Sequence, residues 1–357
     1  MLSALLALSL VSAMPTIQVA RGGQGFVTSS GQAFRPWGLN YDRDYHNRLL
    51  EDYWATDWPT VEQDMRAMRR LGANVVRIHL QFGRFMRGIE TPDEAALARL
   101  GQLLRVAEVN GLYLDLTGLA CYRRADVPAW YAALDEAGRW SAQACFWSAV
   151  ARACAASPAV FCYDLMNEPI VAGKARAPGD WLTGDLGGFT YCQYITLDPA
   201  GRATPDIART WIRRMTAAIR HEDPNRLITV GLLPNAALVG FPPKLVATDL
   251  GFVATHIYPQ AGHLDDDLRL LETFRVGKPL VIEETFPLGC SADQLRSFMA
   301  DAGQRVQGWI GFYWGQSPAS LRAKDDIPSA LTLAWLELFA AGPPWTPDRS
   351  AREATLR

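Results

Sequence analysis

The 357 residues exceed the usual size of one domain, yet a barrel routinely holds roughly 200 to 250 residues or more as a single unit. A composition of 49% hydrophobic and 20% charged residues supports a sizeable core and excludes disorder as the default. The formal charge is -2 and neither Lys nor Arg forms a long run, which excludes the electrostatic footprint of a nucleic-acid-binding protein; the pairs Arg69 and Arg70, Arg123 and Arg124, and Arg213 and Arg214 read as solvated faces.

The chain opens on MLSALLALSLVSA, residues 1–13, an apolar run ending in a small-x-small pattern at Val11 to Ala13. This matches the core and cleavage site of a signal peptide, although the basic n-region is missing, and it predicts a secreted or periplasmic protein. An ordinary apolar terminus, or a start at Met14, is the alternative. No other stretch approaches the roughly 18 uninterrupted apolar residues of a spanning helix, so no membrane span is expected.

After a Gly-containing stretch (Gly22 to Gly31), strands and helices alternate without a linker. A first strand is predicted over Phe34–Leu39, then a helix from Thr60 with Val61, Met65 and Met68 on one face. The second strand is NVVRIHL, Asn74–Leu80, apolar on both faces as helices on either side require. A helix over Glu94–Val109, a third strand over Leu112–Leu116, a helix over Ser141–Ala155 and a fourth strand over Val160–Met166 follow. The segment 170–203 is long, rich in Gly and aromatics, and has no clean period; such a loop is expected to be functional, and its Trp181, Phe189, Tyr191 and Tyr194 argue against disorder.

Thr204 and Pro205 read as the cap and first residue of a helix carrying Ile207, Trp211, Met215 and Ile219. Strands are then predicted over Arg226–Gly231, Gly251–Tyr258, Lys278–Glu284 and Val306–Trp314. Between them lie a helix over Asp265–Phe274 and a helix start with a capping box at Ser291 and Gln294. A final helix follows Pro328 and buries Leu333, Leu336 and Phe339 or their neighbours. Eight strands with intervening helices predict an α/β fold closed as a (β/α)8 barrel. One domain would span residues 14–345, with a tail at 346–357. An open doubly wound sheet is the alternative, but its Gly-rich phosphate turn after the first strand is absent.

Six Cys, at 121, 145, 154, 162, 192 and 290, permit disulfides in an exported chain. No CxxC pair occurs and the His residues do not cluster with Cys, so no metal site is expected. Cys145 and Cys154 share one predicted helix and read as small buried hydrophobes. Of twelve Trp, Trp54, Trp58, Trp130 and Trp181 fall in segments that read as loops, where large aromatics serve either as recognition surfaces or as plugs in the barrel wall.

Polar groups at the C-terminal ends of barrel strands face the site. Asn167 and Glu168 follow the fourth strand, and Glu283 and Glu284 close the seventh. Strand alternation sends this last pair to opposite sides and does not decide which faces the lumen. Two carboxylates suffice to cleave a glycosidic bond, one donating a proton and the other attacking the anomeric carbon if they stand about 5 to 5.5 Å apart, or activating water at roughly 6.5 to 9.5 Å. Arg77 and His79 share a face of the second strand; a buried guanidinium needs a partner, and an active-site carboxylate would serve, as would a structural salt bridge elsewhere in the barrel. His256 and Tyr258 share a face of the sixth strand, where the phenol could steady a nucleophile. Trp314, leaving the eighth strand, reads as a sugar platform or a core plug, while Asp115 and Asp164, inside strands, read as structural.

The segments LMNEP (Leu165 to Pro169), VRIHL, THIYP, KPLVIEE and GFYW, in this order, resemble glycoside hydrolase family 5 in its broad cellulase and mannanase sense, over roughly Phe34 to Trp314. The resemblance implies a retaining barrel hydrolase without a cofactor. It implies Glu168 as acid/base, Asn167 against the sugar 2-hydroxyl, Glu284 as nucleophile, and supporting roles for Arg77, His256, Tyr258 and Trp314; His79, read from its strand face alone, is a supporting candidate or a satisfied core residue. The sequence departs from the family at Thr117, where many relatives carry His, and at Thr285-Phe286, where an aromatic-Gly pair is usual.

A β-1,4-linked glucan or mannan is the implied substrate, with Trp181 lining an extended groove. Chain-end attack, glycolipid or oligosaccharide cleavage, and glycosyl transfer share the first chemical step and stay open. A catalytically silent carbohydrate-binding barrel is the reading from a different class, and it would tolerate the loss of either glutamate, whereas both are present.

Overall fold

The computed structural model describes residues 14–345. The expected signal segment at 1–13 and the tail at 346–357 lie outside the described residues. Eight strands form the centre: β1 (Trp37–Asn40), β2 (Val75–Gln81), β3 (Tyr113–Ala120), β4 (Val160–Asn167), β5 (Leu227–Leu232), β6 (Val253–His256), β7 (Leu280–Glu284) and β8 (Gly308–Gly311). They pair in parallel and in chain order, β8 returns to β1, and the barrel is closed. Every residue of all eight strands is buried, which is why they read as near-continuous apolar runs.

The crossovers carry α1 (Trp58–Arg70), α2 (Glu94–Asn110), α3 (Glu136–Cys154), α4 (Thr204–Glu222), a short α5 (Pro243–Val246), α6 (Leu264–Thr273), α7 (Ala292–Ala302) and α8 (Ile327–Ala340). The apolar stripes of α1 and α4 are buried as their periodicity predicts. The capping box of α7 is formed on both sides, Ser291 Oγ accepting from the Gln294 amide at 3.1 Å and Gln294 Oε1 from the Ser291 amide at 2.9 Å. Leu336 and Phe339 of α8 are buried, whereas Leu333 is only partly so.

Some boundaries differ from expectation. Strand β3 runs on to Ala120, and α3 begins five residues earlier than Ser141 because the Asp135 carboxylate accepts from the Gly138 amide and starts the helix there. Thr204 is not a cap: Ala203 takes that place without a side-chain bond, and Pro205 sits inside the first turn, where a missing N–H costs nothing. The segment 170–203 is not an aperiodic loop. Strands Pro169–Val171, Leu182–Leu186 and Phe189–Thr196 form a small sheet, with the third in the middle, parallel to the first and antiparallel to the second. Gly187 and Gly188, both with positive φ, make its two-residue hairpin turn.

All six cysteines are free, so none of the permitted disulfides is present. Trp54 is buried in the core, and Trp58 and Trp130 lie half-buried against it.

A three-stranded antiparallel sheet (Ile17–Val19, Phe26–Thr28, Ala33–Phe34) closes one end of the barrel. Ile17 and Phe26 pack there among residues from the early part of the strands, Val75, Phe161, Leu227, Val281 and Ile310. The Phe26 ring lies edge-on to Phe161 and Phe252 at 5.4 and 5.3 Å between centroids. The opposite, C-terminal mouth is left for the site. Phe26→Ala should lower unfolding free energy by about 3 to 5 kcal/mol in urea titrations, the range for emptying a buried aromatic site. A loss under about 1 kcal/mol would mean that the sheet does not seal this end.

Candidate active site

Arg77 on β2 has no solvent exposure and is the hub of the mouth. Its guanidinium donates to Asp164 Oδ2 and Glu284 Oε1, both at 2.7 Å, to Asn167 Oδ1 at 2.9 Å and to Asn40 Oδ1 at 3.0 Å. Burial alone would weaken its hold on the proton, but the charges of Asp164, Glu283, Glu284 and Asp115 outweigh that and keep its pKa well above the ordinary value. Thr117, where relatives carry His, donates to the same Asp164 oxygen at 2.8 Å. Gly231 on β5 makes the convergence possible: a Cβ there would stand 2.9 Å from both Arg77 and His256 and 3.2 Å from Asp164.

Glu284 closes β7. Its second oxygen accepts from the Tyr258 hydroxyl at 2.6 Å, and His256 Nδ1 lies 3.6 Å away. Burial and the charges of Glu284 and Glu168 raise the Tyr258 pKa, so the phenol remains a donor. Glu168, just past β4, has φ +47, an unusual backbone conformation for a residue with a side chain, at a cost on the order of 1 kcal/mol. Its amide donates to the Gly231 carbonyl at 2.9 Å. Its Oε1 meets His256 Nδ1 at 2.9 Å and its Oε2 accepts from the Cys192 thiol at 3.0 Å. Burial raises the Glu168 pKa, but the hydrogen bond and charge of His256, the Cys192 thiol and the charge of Arg77 together bring it below the usual carboxyl value.

One carboxylate oxygen of Glu168 and one of Glu284 lie within 4.8 Å of each other, with His256 between them. Nearest oxygens this close are compatible with the spacing of about 5 to 5.5 Å between carboxyl groups at which one of them attacks directly.

His79 is fully buried, and its pKa is lowered well below normal by burial and by the charges of Arg77, His256 and Arg43, so the ring is neutral. Asn40 Oδ1 can only accept, so the His79 proton is assigned to Nε2, 3.0 Å away, and Nδ1 accepts from Tyr122. His79 therefore supports Asn40, one bond removed from the carboxylates.

Glu283 corrects the expectation from alternation. Both glutamates reach Arg77, Glu284 at 2.7 Å from Nη1 and Glu283 at 4.0 Å from Nε, because β7 carries one extra residue where Thr255 stands opposite Ile282 and His256 opposite Glu284. Glu283 groups with Asp115 and Cys162, all three fully buried and with donor atoms within 4.8 Å. Burial and the charges of neighbouring carboxylates raise the pKa of both Asp115 and Glu283, and each carboxyl hydrogen-bonds the other, so the pair is buried by sharing a proton, with the Cys162 thiol beside Asp115. Asp164, read from sequence as structural, is instead a direct partner of Arg77. The trio of Asp115, Cys162 and Glu283 and the trio of Glu168, His256 and Glu284 are each close enough to share an ion, but Arg77 already stands beside both groups, so a metal would compete with a fixed cation.

Two aromatic expectations are not met. Trp314 has no exposure and serves as a core plug, because its amide is tied to the Asn40 carbonyl at 2.7 Å and its ring packs inward. Trp181 lies beneath the Arg139 guanidinium, 4.2 Å from its ring centroid, in the wall of a depression of about 740 Å³ that includes neither glutamate. Besides Tyr258 on Glu284, the partly exposed rings Tyr191, Phe312 and Tyr313 gather around Arg43.

A closed parallel barrel whose C-terminal mouth holds two facing glutamates is the architecture of a retaining glycoside hydrolase. The chain belongs to glycosyl hydrolase family 5, the cellulase family, whose description matches residues 27–261. No curated protein matches the sequence. Among solved structures it is similar to the exo-β-1,4-mannosidase Op5Man5 of Opitutaceae bacterium strain TAV5, at TM-score 0.68 and 19% identity over 95% of this chain and 63% of that one. The chain thus spans less than two thirds of the length of that enzyme. The β-1,4-mannanase of the sea hare Aplysia kurodai (TM-score 0.58, 16% identity, 83% and 92% covered) and the endo-1,4-β-mannanase of Rhizomucor miehei (0.60, 15%, 92% and 100%) share the fold as well.

Asp115 supplies a test of the buried charge balance. Burial and the charge of Asp164 push its carboxyl up to about 7, against an ordinary 3.8. The folded state therefore holds this proton more tightly than the unfolded state, and the resulting stabilisation is lost as pH rises through 7. In urea denaturation, the stability of the wild type relative to Asp115→Asn should grow as pH falls from 8 to 5. A difference that does not change with pH would show that Asp115 does not titrate in this window.

Proposed function

We propose that this protein is a retaining glycoside hydrolase that cleaves β-1,4-linked mannan or glucan. The observation that carries the reading is the pair of glutamate oxygens within 4.8 Å at the ends of β4 and β7. Glu284, bonded by Arg77 and Tyr258, attacks the anomeric carbon while Glu168 gives its proton to the leaving oxygen. A glycosyl ester on Glu284 results. Glu168, now a carboxylate, takes a proton from water, which displaces the sugar from Glu284. Asn167, held by Arg77, takes the sugar 2-hydroxyl in this reading.

Because its surroundings hold the free Glu168 below the usual carboxyl range, protonated enzyme becomes scarce as pH rises, and the basic limb of kcat/KM should fall on the acid side of neutrality. The mannan side of the substrate class is supported by the names of the similar structures, two of them mannanases and one a mannosidase. Attack at chain ends is the second reading. It is supported by the name of one similar structure, an exo-β-1,4-mannosidase. Export remains a proposal from residues 1–13, to be checked by N-terminal sequencing of the mature protein.

A product-resolved screen of wild type and Glu284→Ala on mannan, β-1,4 and mixed glucans, xylan and aryl β-glycosides tests the reading. One polymer should be degraded with retention of anomeric configuration, and Glu284→Ala should lose about 10⁴-fold or more. Internal fragments would identify endo action, and monomer or dimer release would identify chain-end attack. Inversion of configuration, or full activity in Glu284→Ala, would overturn the mechanism.

A further inference from the structure

The strand Phe189–Thr196 of the inserted sheet touches the carboxylate pair directly. Two adjacent residues on it hold two adjacent residues at the end of β4. The Tyr191 carbonyl accepts from Asn167 Nδ2 at 3.1 Å, and the Cys192 thiol donates to Glu168 Oε2 at 3.0 Å. The strand is also tied to the far rim, because Arg43 donates to the Tyr191 hydroxyl at 2.7 Å and to Asp42 at 2.9 Å. Beside Cys192 on the neighbouring strand, Gly184 has φ +73, and a Cβ there would fall 2.6 Å from the Cys192 sulfur, so the hairpin leaves room for this thiol by lacking a side chain. Burial and the negative charge of Glu168 raise the Cys192 pKa, which keeps the sulfur protonated and a donor.

We propose that Tyr191 and Cys192 are positioning residues of the inserted sheet that clamp the Asn167-Glu168 pair, the Cys192 thiol setting how readily Glu168 takes up its proton. The proposal rests on Glu168 being the acid/base. With His256 on one oxygen and Cys192 on the other, the carboxyl is fixed in rotation. A donor on a carboxylate oxygen favours the ionised form, so the thiol shifts Glu168 toward base and away from acid. A cysteine that merely fills space would hold the strand in place and leave this titration alone.

The Glu168 carboxyl is to be titrated by ¹³C NMR in glutamate-labelled protein, with Glu168→Gln assigning the signal, for wild type, Cys192→Ala and Cys192→Ser. Removing the thiol should raise the pKa by about half to one unit, as loss of one hydrogen bond from a weak thiol donor implies, and Ser should bring it back. The basic limb of kcat/KM should move by the same amount. On the basic limb the Cys192→Ala rate should rise for aryl glycosides with poor leaving groups, which need the proton of Glu168, and hold for dinitrophenyl glycosides, which depart without one, so the dependence on leaving-group acidity becomes shallower. Equal titrations and equal leaving-group dependence in wild type and Cys192→Ala would overturn the proposal. Failure of the underlying reading has a separate signature: Glu168→Ala would then show no acceleration by azide on a dinitrophenyl glycoside.

Discussion

A guanidinium with no access to water sits where four strand ends meet, and everything at the mouth is arranged around it. Unpaired, Arg77 would destabilise the fold by several kcal/mol. Asn40 from β1, Asp164 and Asn167 from β4 and Glu284 from β7 each direct an oxygen at it. Those partners have supports of their own: Thr117 on Asp164, His79 on Asn40, and Tyr122 on His79. One positive charge cannot balance Asp164, Glu284, Asp115 and Glu283 together. The deeper pair, Asp115 and Glu283, is therefore pushed toward the protonated form by burial and by its charged neighbours.

The barrel was legible in the chain because its strands are covered on both sides and consist almost wholly of apolar residues. Against that background Arg77, Glu168 and Glu284 are anomalies, and polar residues at strand ends need a reason. The same logic, carried further, would have found two more residues. Asn40 ends β1 in the position that Asn167 holds on β4, and Asp164 is a charge inside an apolar strand, as Arg77 is, so each needs a partner of the other's kind. Glu283 was beyond periodicity, because a register shift in β7 lets neighbouring residues meet one cation. Cys192 carried no signal at all, since its contact with Glu168 depends on a strand whose own pattern is irregular.

The tryptophans teach the opposite lesson. Their number suggested a recognition surface, yet Trp147, Trp211, Trp309, Trp314 and Trp335 are all fully buried. Trp181 lies just before the hairpin strand Leu182–Leu186, outside regular structure, and its ring is nevertheless buried because the Arg139 guanidinium covers it. The rim that a substrate would meet is built from smaller rings, Tyr191, Phe312 and Tyr313, gripping Arg43.

The sheet that seals the base of the barrel gives the molecule a particular order of completion. Ile17 and Phe26 are made first during synthesis, but they rest on Phe252, Val281 and Ile310, which are made in the last third of the chain. The amino-terminal segment must therefore wait, its apolar faces uncovered, until nearly three hundred further residues exist. A nascent or truncated chain ending before β8 has neither a closed ring nor a seat for its stopper, which makes assembly all-or-none and leaves every incomplete form prone to aggregation.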